Sequence, residues 1–112
     1  MILWHNPRCS KSRAALALLE ERGVQVTVRK YLEDAPTVEE LQAAQTALGL
    51  PVTQMMRTKE AAFKDMGLTK DTPKDALLAA MAQEPKLIER PVLFKADKAV
   101  IGRPPERVLE LL

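Results

Sequence analysis

Apolar positions along the chain fall into two periodicities. Ile2, Leu3 and Trp4 form a short apolar run ended by Asn6-Pro7, the pattern of a buried strand running into a turn. The segment SRAALALLEER, residues 12–22, is rich in strong helix formers, gathers its apolar residues in one block and stops at Gly23, the favoured residue just past a helix C-terminus. Val24, Val26 and Val28 then alternate with polar residues, which is strand periodicity. The first thirty residues therefore predict β-α-β, with the two strands parallel and the connection right-handed.

The middle of the chain reads as helical. Thr37-Val38-Glu39-Glu40 has the form of a capping box, Leu41, Ala44 and Leu48 follow at helical spacing, and Gly49 and Pro51 supply the stop. Met55, Met56, Phe63 and Met66 predict one or two short helices before Gly67. Thr72-Pro73-Lys74-Asp75 is another helix start, with a cap, a proline at the first helical position and an acid in the first turn. That helix carries Leu77, Leu78 and Met81 and is over by Pro85.

Strand patterning then returns. Pro91 to Phe94 is a short apolar strand, Ala96-Asp97-Lys98 a tight turn and Ala99 to Ile101 a second strand, so the two form an antiparallel hairpin. Pro104 and Pro105 open a last amphipathic helix with Val108, Leu109 and Leu112 on its apolar side. The expected order is β-α-β, a helical insert over about residues 37–85, then β-β-α, in one domain covering residues 1–112.

Composition narrows the function classes. The chain is 46% hydrophobic and 29% charged with a net charge of +2, and its basic and acidic residues are interspersed, so no nucleic-acid partner is expected. The N-terminus lacks the charged and long apolar regions of a signal peptide, and no apolar run approaches the roughly 18 residues needed to span a membrane. A cytoplasmic protein without a membrane partner is the simplest reading, and a monomer the simplest state. With one cysteine and one histidine, no intramolecular disulfide and no His/Cys metal site can be built.

That cysteine, Cys9, lies in HNPRCSKSR between the first strand and the first helix, the carboxyl end of a strand where open α/β sheets place their sites. A thiol at its unperturbed pKa near 8.5 is only roughly 3% ionised at pH 7, so a nucleophilic cysteine needs help. Free N–H groups and the positive end of the helix dipole point toward this position. Arg8, Lys11 and Arg13 add positive charge, Ser12 is a candidate hydrogen-bond donor to the sulfur, and His5 a candidate partner for the thiolate. The spacing C-S-K-S puts a serine where dithiol oxidoreductases carry a second cysteine, so any thiol cycle must borrow its second sulfur. Ala15 stands where a phosphatase-type C-x5-R loop needs arginine.

Taken in order, HNPRCSKSR, KYLEDAPTVEEL, MMRTKE, LIERPVLF and IGRPPERVLELL resemble the glutaredoxin-linked arsenate reductase family, related to the Spx-like regulators, over almost the whole length. The resemblance implies an α/β thioredoxin-like fold with a mixed four-stranded sheet. It implies Cys9 as nucleophile, with His5, Asn6 and Ser12 as its thiolate-stabilising surroundings, and Arg57, Arg90 and Arg103 as substrate-binding arginines. Pro91 falls on the proline that is cis in thioredoxin folds. It further implies no bound cofactor, glutathione as co-substrate and glutaredoxin as protein partner. Arsenate is a tetrahedral dianion near neutral pH, and a thiolate approaching it needs fixed positive charge, which arginine supplies without losing its proton. Arg8, Ser10 and Lys11 depart from the better characterised branch. Two other readings use the same fold: a glutathione-dependent thiol transferase without arsenate activity, and an Spx-like protein-binding regulator, whose better-known members carry C-x-x-C where this chain has Ser12.

Overall fold

The computed structural model describes residues 1–112 and divides them into two units, Met1–Asp34 with Arg90–Leu112, and Ala35–Glu89. The first unit holds a four-stranded mixed sheet in the order β2-β1-β3-β4, formed by β1 (Ile2–Trp4), β2 (Thr27–Arg29), β3 (Val92–Lys95) and β4 (Lys98–Ile101). Strand β1 pairs parallel to β2 and antiparallel to β3, and β3 pairs antiparallel to β4. This is the mixed sheet of the thioredoxin-like fold.

Helix α1 (Ser10–Glu21) lies on one face of that sheet. Leu3, Leu93 and Val100 stand opposite one another across β1, β3 and β4, and close a core with Ala15 and Leu19 of α1 and Val108 near the C-terminus. Each is buried, and truncating one such leucine to alanine typically costs about 2–5 kcal/mol. Trp4, at the exit of β1, lies against Phe94 with ring centroids 4.7 Å apart, and the Arg29 guanidinium sits 5.8 Å from its ring centroid. These contacts fix the end of β1 from which the Cys9 loop departs.

Two elements of this unit differ from the sequence pattern. The register that matches Ile2 with Thr27 leaves Val24 and Val26 outside the ladder. They pack on the core from an extended segment, and Val28, inside the strand, is 39% exposed. The C-terminal helix is a 3-10 helix, Pro105–Leu111, and not an α-helix. Its tighter winding repeats every three residues, so Val108 and Leu111 share the core face and Leu112 turns outward, 43% exposed.

The second unit carries the helices. Helix α2 (Val38–Leu48) starts in a complete capping box: Thr37 Oγ1 accepts from the Glu40 N–H at 3.1 Å while Glu40 Oε1 accepts from the Thr37 N–H at 3.0 Å. A 3-10 turn (Val52–Met55), α3 (Ala61–Asp65) and α4 (Lys74–Gln83) follow, with α2 packed on α4. Pro73 is itself the N-cap of α4, because the Thr72 hydroxyl faces backward and accepts from the Thr69 N–H. A backbone bridge between Met56 and Ile88, flanked by hydrogen bonds from Arg57 N to Leu87 O and from Glu89 N to Met55 O, ties the middle of the unit to its C-terminal end.

Candidate active site

The Cys9 loop is a turn built by its own polar groups. Asn6 supplies both acceptors: its carbonyl takes the Cys9 N–H at 3.0 Å, and its side-chain Oδ1 takes the Arg8 N–H at 3.0 Å, an Asx-type turn. Arg13 reaches back from α1 to donate to Pro7 O at 2.9 Å. The loop delivers Cys9, partly buried and in extended backbone geometry, as the N-cap residue of α1.

Burial alone would push the Cys9 thiol up, but the backbone N–H of Ser12, the Arg90 guanidinium acting as donor and as charge, and the backbone N–H of Lys11 outweigh it and hold the thiol below its ordinary value. The Cys9 side chain makes no capping hydrogen bond. The N–H groups of the first helical turn act on the sulfur as it ionises, because a thiolate is larger, charged and a far better acceptor.

The Ser12 hydroxyl and the His5 ring bond to each other. The Ser12 side chain is fully buried, and its Oγ accepts the Asn6 N–H at 3.0 Å while lying 2.7 Å from His5 Nδ1. Burial, then the charges of Lys30 and Arg13, hold the His5 imidazole below its ordinary value, so the ring is neutral near pH 7. The neutral ring and the Ser12 hydroxyl share one hydrogen bond at Nδ1. The hydroxyl, the imidazole and Asn6 brace the loop from behind, and it is the backbone of Ser12 that meets the sulfur.

Arg90 and Arg103 are brought together. Arg103 Nη1 donates to Arg90 O at 3.0 Å, and the Gly102 N–H donates to Pro91 O at 2.8 Å. The Arg90–Pro91 peptide bond is cis, and so is Arg103–Pro104, which the sequence reading did not anticipate. Arg57 stands in the second unit, paired with Glu60 at 2.9 Å and with its N–H on Leu87 O. No group of three or more His, Cys, Asp or Glu side chains gathers in the chain. The donors around Cys9 are nitrogen groups, suited to an anion.

Sequence reasoning missed Gly102, whose bare Cα lies against Pro91, and the action of Lys30 and Arg13 on His5. A glycine at a strand end before Arg-Pro was the one available signal for close backbone approach.

Comparison with known proteins returns one consistent result. The sequence profile of the ArsC family matches residues 4–111. A protein of Haemophilus influenzae named arsenate reductase is 47% identical, the alignment covering 100% of this chain and 98% of that one. The arsenate reductase of Escherichia coli is 34% identical over 98% of this chain and 79% of its own. Among solved structures, an arsenate reductase from Vibrio cholerae superposes with a TM-score of 0.96 at 52% identity, covering 99% of this chain and 96% of that one.

Proposed function

The chain belongs to the ArsC family, and from that premise we propose that it reduces arsenate to arsenite through an adduct on Cys9, with glutathione and glutaredoxin supplying the electrons. The observation that carries this reading is the lone Cys9 thiol, lowered in pKa by a guanidinium and two helix N–H groups: a nucleophile inside an anion site.

In this scheme Cys9 Sγ forms a bond to arsenic and one arsenate oxygen leaves as water or hydroxide. Arg90, already at the sulfur, neutralises the approach of two negative charges, and Arg57 and Arg103 complete the substrate-binding set. Glutathione sulfur replaces a second oxygen. Attack of a glutaredoxin thiolate on that glutathione sulfur leaves an electron pair on arsenic, which becomes trivalent, and forms the glutathione–glutaredoxin disulfide. Hydrolysis of the remaining sulfur–arsenic bond returns Cys9 and arsenite. Two thiols are oxidised for each two-electron reduction, and neither is Cys9. A single-cysteine chain fits this stoichiometry, and a cytoplasmic setting keeps its thiol reduced.

The test is turnover of arsenate with glutathione and glutaredoxin, measured as arsenite. Cys9→Ser is expected to abolish it. Turnover no higher than in Cys9→Ser, in an assay where a working reductase is active, removes arsenate as the substrate.

A further inference from the structure

Of the four glycines, Gly23, Gly49 and Gly67 sit at positive φ, with open space where a side chain would stand. Gly102 is the reverse case. A Cβ there would lie 2.8 Å from Pro91 Cγ and 2.9 Å from Val108 Cγ1, well inside the roughly 3.5–4.0 Å at which carbon atoms pack. The position demands glycine for space and not for backbone freedom.

What that space achieves is visible in the hydrogen bonds on either side. The Gly102 N–H holds Pro91 O at 2.8 Å, and the next residue, Arg103, holds Arg90 O at 3.0 Å. Both carbonyls of the Arg90-Pro91 pair are thus fixed by the end of β4, with the proline ring seated on the Gly102 Cα and Val108 closing the other side. The Arg90 guanidinium in turn acts on Cys9, as donor and as charge, and holds the thiol below its ordinary value. We propose that Gly102 is a positioning residue for Cys9: its missing side chain lets β4 approach Pro91 closely enough to hold the Arg90 guanidinium on the sulfur. The inference rests on the activated Cys9 and not on the identity of the oxyanion, so it stands or falls separately from arsenate turnover.

The groups facing Cys9 are Arg90 from the segment before β3, the Lys11 and Ser12 N–H groups of α1, and His5 behind Ser12, which faces Lys30 and Arg13. Gly102→Ala leaves each chemically intact. It is expected to raise the midpoint of Cys9 alkylation against pH by about half a unit, a roughly threefold loss of thiolate below the midpoint. Two further variants separate positioning from general damage. In an Arg90→Ala background the same glycine substitution is expected to add no shift, because the group it positions is gone. Val108→Ala opens the opposite wall, so Gly102→Ala/Val108→Ala is expected to regain at least half of the lost shift. Arg103→Gln, which releases Arg90 O, tests the other half of the clamp and is expected to raise the midpoint even if Gly102→Ala fails to fold. An unmoved midpoint in folded Gly102→Ala or in Arg103→Gln, or a Gly102→Ala shift that persists undiminished without Arg90, overturns the proposal.

Discussion

Arg90→Ala removes a charge and a donor from Cys9 while leaving the Lys11 and Ser12 N–H groups in place. An opposite charge in contact with a titrating group moves its pKa by about 1–3 units. Coulomb's law brackets the same effect, with about 4 kcal/mol at 4 Å for an effective dielectric near 20 and about 1 kcal/mol in bulk water. Cys9 is only partly buried, so solvent screens the pair and the lower end applies. The expected rise is about 1 unit, equivalent to about 1.4 kcal/mol, and the thiolate fraction falls about tenfold at any pH below both midpoints. Iodoacetamide alkylation of Cys9, followed by mass spectrometry across pH, reads the midpoint. The midpoint is a better readout than a rate at one pH, because the intrinsic nucleophilicity of a thiolate declines as its pKa falls and partly masks the change. Arg90→Lys retains charge without the planar fork and is expected to fall between wild type and alanine. An Arg90→Ala midpoint within about 0.3 unit of wild type, or a wild-type midpoint at or above about 8.5, refutes the activation argument.

Ser12→Ala leaves the Asn6 N–H and His5 Nδ1 without their shared partner, so chemical denaturation is expected to show a loss of about 1–3 kcal/mol while the Cys9 midpoint barely moves. The lowered His5 pKa means that the unfolded chain binds more protons than the fold as pH drops below about 6.5. Stability is then full above that value and declines on acidification toward the folded-state pKa; denaturation curves between pH 7.5 and 5 should show this slope in wild type and a smaller one in His5→Gln. Ala96 holds φ of 54° at the tip of the β3–β4 hairpin, so Ala96→Asn is expected to gain about 0.5 kcal/mol and raise the melting temperature by a few degrees, measured by calorimetry.

The elements legible in the sequence are those whose signals are local. Helix α1 follows from its run of helix formers and Gly23, the α2 start from the spacing of Thr37 and Glu40, and the hairpin from two apolar runs around Ala96-Asp97. Each needs only neighbours within a few residues. The misread positions are those where pairing register or distant packing decides. Val24 and Val26 alternate like strand residues yet fall outside the ladder because Ile2 pairs with Thr27. Val108, Leu109 and Leu112 suit an α-helix, yet the core takes Val108, Leu109 and Leu111 from a 3-10 helix. At the site, residue types pointed to Cys9 and the family resemblance to Arg90, but which atom of Ser12 meets the sulfur depends on His5 and Asn6 taking the hydroxyl. Gly102 matters through a contact eleven residues away in sequence, which no local pattern encodes.

Cys9 is the residue on which α1 begins, and a thiol is a poor choice for that post. Serine, aspartate or asparagine would accept the first-turn N–H groups at any pH, and replacing such caps by alanine typically costs about 1 kcal/mol. The first-turn N–H groups of Lys11 and Ser12 lower the Cys9 pKa, so they favour the ionised sulfur, and the chemistry of the sulfur is linked to the α1 entry. The inactive Cys9→Ser protein is consequently no neutral control: it trades a reagent for a better cap and is expected to outlast the wild type in thermal unfolding.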